Sequence, residues 1–350
     1  MITQVIGEQS IQFENPVYII NSASIVGKKE GQGPLGNLFD VICEDAMFGS
    51  KTWEEAESTL QKEAISMALG KAGMNAKDMR YLFAGDLLGQ LIATSFGTAN
   101  YNIPMFGLYG ACSTCGESLG LGSMVIAGGF AQNVLCVTSS HFASAEKQFR
   151  FPLEYGNQRP LSAEWTVTGA GAFVLSGVKN PKRSGQPSGS EEAKAKITCV
   201  TTGKIVDFGI KDSMNMGAAM APAAADTIYQ NLLDFNLLPK DYDMIITGDL
   251  GSIGRTLLID LLKDKGFDIS ENHMDCGIEI FDAITQDVHA GGSGCGCSAV
   301  TLSAYILKQL QAGTWKKVLF VPTGALLSTV SFNEGNSVPG IAHAVVLESI

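Results

Sequence analysis

Apolar runs and polar breaks alternate along this chain and predict strands and helices in turn. Residues 17–24, VYIINSAS, are apolar and β-branched and predict a buried strand. In 53–72, WEEAESTLQKEAISMALGKA, apolar positions recur at helical spacing with acids near the start, which predicts a helix. Strands are expected at 80–85, 104–109, 133–140 and 167–176, with a helix that starts near Cys112 and ends at Gly128-Gly129. The polar stretch 179–195, KNPKRSGQPSGSEEAKA, reads as a linker. After it come strand 197–206, a loop holding MGAAMAPAAADT, helix 223–235, strand 243–248, helix 254–265, helix 297–311, and strands 317–322 and 341–348. Such alternation predicts an α/β fold with mainly parallel sheet. Two stretches, 28–40 and 141–164, read as loops, and the second is long enough to be functional or to cover an interface.

The two sides of the linker echo one another. YLFAGDLLG from Tyr81 matches MIITGDLGS from Met244, which places Gly85-Asp86 and Gly248-Asp249 each after a short apolar run, at a strand end, with an offset of 163. GFAQNVLCV from Gly129 resembles GTWKKVLFV from Gly313, an offset of 184, and the same offset carries GACSTCGES (110–118) onto GCGCSAVTL (294–302). Duplication of so long a unit implies two similar halves, here 1–178 and 196–350, packed together with a functional cleft where they meet.

Composition narrows the class. The 350 residues are 45% hydrophobic and 17% charged, a globular balance with a large core. A net charge of −11 excludes the basic stripe that nonspecific nucleic-acid binding needs. No apolar run reaches the roughly 18–20 residues of a bilayer span, and MITQVIGEQSIQF lacks the form of a signal peptide, so a cytoplasmic protein with free thiols is expected.

Cys112 is the leading candidate for chemistry. Placed where a strand turns into a helix, it would meet free N–H groups and the positive helix end, which lower a thiol pKa and bind an oxyanion or a carboxylate. Cys112 and Cys115, with Cys295 and Cys297, stand at matching helix starts. A helical Cys-x-x-Cys pair is unlike a zinc knuckle, and no metal site is expected. The GxGxxG at Gly31, Gly33 and Gly36 is separated from its strand by charged residues and interrupted by Pro34, and it is not read as a dinucleotide site.

The pattern resembles the thiolase superfamily, which includes the β-ketoacyl-ACP synthases. GACSTCGES stands where those proteins start their central helix with a nucleophilic Cys, and VTGAGAFVLS resembles their GDGAGA-type strand. The resemblance implies a duplicated, five-layered α/β fold and a homodimer joined by an edge strand of the first half. NVLCVTSS and the loop after it match that edge. The segments GPLGNLFD, AGDLL, ACST, SSHFASAEKQFRFPLEYG, MGAAMAPAAADT, GGSGCGCSA and GALLS look like the stage V sporulation protein AD family of spore-forming bacteria. That family implies binding of dipicolinic acid, with calcium admitted as part of the ligand. It also implies work with the membrane proteins of the SpoVA apparatus, in dipicolinate uptake into the developing spore, peripheral to the cytoplasmic side of the spore inner membrane.

The departures from the condensing enzymes are informative. Their His and His/Asn partners fall, by the repeat, at Gly248-Asp249 and near Ser293, and neither place holds His or Asn. The four histidines are His141, His273, His289 and His343. A thiolate alone is a poor catalyst of acyl transfer, so a non-catalytic binding protein is expected, the alternative being an acyltransferase that uses Cys112. For a flat dicarboxylate the expected contacts are Cys112 and Ser113 at the helix start, and Glu117 one turn in, which would need calcium beside it. Asp249 and Ser293 complete the partner positions, and the 141–159 loop adds His141, Phe149, Arg150 and Arg159, with Arg150 the first choice for a two-point contact.

Overall fold

The computed structural model describes residues 4–149, 158–182 and 193–350. Arg150 and the middle of the linker, 183–192, lie outside the described residues.

Strand Ser10–Gly27 joins the two halves of one large sheet. Its later residues pair antiparallel with Gly169–Ser176, and its earlier ones with Ala195–Thr201. Outward from Gly169–Ser176 lie Asn133–Ser140, antiparallel, then Tyr81–Gly85 and Met105–Gly107, both parallel. Outward from Ala195–Thr201 lie Ala344–Glu348 and Lys317–Val321, antiparallel, then Met244–Thr247 and His273–Asp275, parallel. The two halves repeat one topology, and Gly85-Asp86 and Gly248-Asp249 follow equivalent strands.

Helices Thr114–Ala127 and Cys295–Thr301 pack together between the inner faces of the half-sheets. The largest apolar cluster lies there, with Leu119, Phe173, Val300 and Phe320 all buried. Helix Trp53–Ala72 covers the outer face of the first half, and helices Met216–Asp234 and Gly251–Asp264 that of the second. These are the five layers. The central layer has little room: a Cβ on Gly171 would stand 2.6 Å from the Ala299 Cβ and 2.7 Å from its carbonyl carbon.

Helix 53–72 and strand 133–140 form as the periodicity predicts. The first is capped by the Thr52 hydroxyl, which accepts from the Glu55 N–H, and ends at Gly73 with a left-handed φ of 64°. Other elements differ from the reading. Residues Phe142–Phe149 form a helix where a loop is expected. Their alanines, Glu and Gln are good helix formers, and Ala143, Ser144 and Ala145 face inward. MGAAMAPAAADT belongs to helix 216–234, capped by Asn215. Pro222 inside it lacks an N–H and crowds the preceding turn, but the flanking alanines and Met220 are fully buried, and that packing holds the helix. The segment 28–40 holds a short helix, Lys28–Gly31, and a 3₁₀ turn, Gly36–Leu38, in place of a plain loop. Strand 133–140 lies inside the sheet. The free edge of the first half is Met105–Gly107, so the edge assigned to NVLCVTSS is corrected. An internal strand has both sides paired and offers no ladder to a second copy.

Candidate functional site

Ala111, with a left-handed φ of 48°, turns the chain so that Cys112 enters a small cavity ahead of helix 114–127. The turn consumes its own donors. The Ser113 N–H donates to the Gly110 carbonyl at 3.0 Å and the Thr114 N–H to that of Ala111 at 3.2 Å. The Ser113 and Thr114 hydroxyls donate to the same two carbonyls. The free N–H groups expected to receive a carboxylate at this helix start are therefore already bonded at Ser113 and Thr114, and the helix begins two residues after Cys112.

Behind the thiol stands Asp249. Its fully buried carboxylate accepts from the Thr323 hydroxyl at 2.7 Å and from the Gly294 N–H at 3.0 Å, and its charge acts on the Cys112 thiol. Burial raises its pKa to about 7 against those hydrogen bonds. Burial and then the Asp249 charge push the Cys112 thiol well above its ordinary value. The lowered pKa expected of a helix-start cysteine is thus reversed, because burial and then a neighbouring carboxylate favour the S–H form. The neighbouring Asp275 is a structural acceptor. It takes the Thr247 hydroxyl and the N–H groups of Leu250, Gly251 and Ile278, and so fixes the turn that carries Asp249.

The cavity has a volume of about 30 Å³, with walls that include Tyr109, Phe149, Thr166, Ser293 and Leu327. Of the residues predicted from the sequence, the fold brings together Cys112, Phe149 and Ser293, with Asp249 behind the thiol. Four others lie elsewhere. The Ser113 hydroxyl is spent within the turn. Glu117 faces a separate cavity of about 130 Å³ beside His343, where burial raises its pKa, so it does not confront a ligand at Cys112. His141 is neutral by its bonds: Nδ1 accepts from the Ala143 N–H at 3.2 Å, Nε2 lies 2.8 Å from the Ala46 carbonyl, and the ring rests on Trp53. Arg159 donates to the Asp287 carboxylate at 3.2 Å, and its guanidinium lies over Trp165. Trp165 precedes Thr166 on a short strand, so the two side chains face opposite ways and Arg159 is turned from the cavity.

Tyr109, Thr166 and Leu327 escaped the sequence reading. They come from three separate segments and join only through tertiary packing. The one local signal was GALLS, which contains Ala325 and Leu327. Two cysteines of the central layer have a local acceptor: Cys295 donates to the Ser139 carbonyl at 2.8 Å and Cys297 to that of Gly248 at 3.5 Å.

The five layers, the repeated half-sheets and the cysteine at the central helix define a thiolase-like protein. Solved structures agree on the fold. A single-substitution variant of OleA from Xanthomonas campestris superposes with a TM-score of 0.60 at 14% identity, covering 96% of this chain and 97% of that one. The Acat5 thiolase of Ascaris suum gives 0.59 at 11% identity, covering 96% and 100%. The 3-oxoacyl-[acyl-carrier-protein] synthase III of Aquifex aeolicus gives 0.55 at 14%, covering 95% and 99%. The family model for Stage V sporulation protein AD matches residues 7–348, and the Bacillus subtilis protein of that name is 43% identical over 342 residues, 98% of this chain and 97% of its own. The chain belongs to the Stage V sporulation protein AD family. Among the described residues no helix is long and apolar enough to cross a membrane.

Proposed function

We propose that this protein is a non-catalytic binder of dipicolinate, taken as its calcium complex, that serves the SpoVA apparatus in loading the developing spore. It would work from the cytoplasmic side of the spore inner membrane beside the membrane components. Its place in a sporulation family supports the setting. The observation that carries the non-catalytic reading is the buried Asp249 carboxylate, held by Thr323 and Gly294, at the place where the repeat puts the partner of Cys112. Condensing enzymes place a base there that helps the cysteine react. A buried carboxylate keeps it protonated and would repel an enolate or oxyanion.

The same feature supports calcium. Asp249 and Glu164 both act on Cys112 as negative charges, so a bare dianion is disfavoured in this cavity, whereas calcium suits carboxylate and ligand oxygens. Tyr109, Phe149 and Leu327 offer the apolar walls that a flat ring needs. A volume of about 30 Å³ holds roughly one water, so entry of the ligand requires the rim to move, with half-buried Phe149 the first candidate. A crystal structure grown with calcium and dipicolinate tests the site. Ligand packed against Cys112, Tyr109 and Ser293 is expected. Ligand at Arg159 or beside Glu117 would overturn the assignment.

The exposed edge Met105–Gly107, with Phe96 and Phe106 bared beside it, is the proposed seat of a homodimer. Light scattering at micromolar concentration is expected to give twice the chain mass, and a monomer would remove this reading.

A further inference from the structure

The second cavity, of about 130 Å³, lies between helix 114–127 and the ends of strands 195–201 and 344–348. Two glycines on the helix shape it. Gly116 lets the helix approach the far strand, since a Cβ there would stand 2.5 Å from the His343 carbonyl. Gly120 leaves space, since a Cβ there would meet only Val200, at 3.8 Å. Leu121, Met124 and Val200 make the walls largely apolar, and exposed Thr202 marks the mouth.

Glu117 brings a carboxylate into these walls. Its Oε2 is fully buried and has no hydrogen-bond partner. Among the described residues no donor and no basic side chain bonds the carboxylate, and burial alone acts on it, raising its pKa. An ionised carboxylate can accept about four hydrogen bonds, and leaving it buried without them is costly. The other polar group is His343. Its Nδ1 accepts from the Gly203 N–H at 3.3 Å, which puts the ring hydrogen on Nε2 and makes the ring neutral. His343 is therefore no counter-charge for Glu117. Lys204, which follows Gly203, is paired with Asp226 at 3.0 Å.

A group left unsatisfied in this way calls for a water, an ion or a ligand. The donor set argues against a metal: His343 Nε2 carries a hydrogen and cannot ligate, which leaves one carboxylate where zinc or calcium needs several ligands. The volume argues against a lone water, which occupies about 30 Å³, and stands near the roughly 150 Å³ of an apolar cavity that takes up benzene. The occupant should then have a positively charged donor at one end and a hydrocarbon body.

We propose that this cavity binds a small organic ammonium, a protonated primary amine of about four to six carbons, with its charge on Glu117 and its chain on Leu121, Met124 and Val200. The site does not use the Cys112 cavity, and the proposal goes beyond the dipicolinate reading.

The test is a titration of the full chain, labelled with carbon-13 at its methionine methyls, with n-butylammonium chloride at about pH 8. Met124→Leu identifies the Met124 signal. A saturable shift of that signal is expected, with a dissociation constant of about 0.1–10 mM for so small a ligand. Glu117→Gln keeps the shape and removes the charge, and should weaken binding at least roughly tenfold. Neutral n-butanol, with the same chain, should bind the wild type at least roughly tenfold more weakly. Gly120→Leu should fill the cavity and abolish the shift. No saturable shift in the wild type, equal binding of n-butanol, or unchanged affinity in Glu117→Gln overturns the proposal. Circular dichroism checks each variant, and if Gly120→Leu does not fold, the other comparisons decide. No dipicolinate is used, so failure of that reading would produce none of these results.

Discussion

Gly171→Val is expected to cost about 3 kcal/mol or more of stability, or to prevent folding altogether. Gly171 is held on both sides, paired with Ser24 and with Thr138 in the middle of the first half-sheet. Its open face meets the backbone of helix 295–301, where an added Cβ would lie 2.7 Å from the Ala299 carbonyl carbon and 2.8 Å from its oxygen. Neither partner can give: the strand is locked by two ladders, and the helix is the fully buried centre of the molecule. Urea unfolding followed by circular dichroism checks this. Gly120→Ala is the control. Gly120 lies in the interior of helix 114–127, and its nearest Cβ neighbour would be Val200 at an ordinary 3.8 Å. That change should be neutral or add up to roughly 1 kcal/mol. Comparable losses in both variants would mean that the central layer is not as tight as described.

The second large effect concerns the thiol. Cys112 should be alkylated slowly by iodoacetamide near neutral pH, at a rate that keeps rising through the range where an ordinary cysteine reaches its plateau. Burial and Asp249 hold the proton on sulfur, and only the thiolate reacts. Asp249→Asn removes a neighbouring negative charge, an effect of about one to three pKa units. The rate near neutral pH should then rise at least roughly tenfold. Mass spectrometry of the Cys112 peptide reads this directly, with partly exposed Cys43 as the internal reference. A fast wild-type Cys112 that slows in Asp249→Asn would make the carboxylate an activating group, and would favour the acyltransferase reading over the binding one.

The duplication was legible because Gly-Asp pairs and glycine-rich helix starts recur at fixed offsets. Asp249 and Ser293 were reached by carrying the partner positions of the condensing enzymes onto that repeat. Tertiary packing decided what the pattern missed. The 142–149 helix looked like loop because it is short and its buried residues are small or polar, Ala143, Ser144, Ala145 and Glu146. Helix 216–234 was expected only from residue 223, because Pro222 reads by local rules as a break. The sign of the Cys112 shift differs because helix-end electrostatics were legible and the burial of the thiol, with Asp249 behind it, was not. Arg159 and His141 were selected for their chemistry, but Trp165 with Asp287 holds the one and the Ala46 carbonyl the other.

The central claim is that a thiolase-like cavity here holds a ligand and performs no acyl transfer. Isothermal titration of the wild-type protein with dipicolinate, with and without calcium, tests it most directly, with Ala145→Trp as the variant that fills the cavity wall. Saturable binding that strengthens with calcium and is lost in Ala145→Trp is the predicted result. No heat from the wild type under either condition, or unchanged affinity in the filled variant, would contradict it.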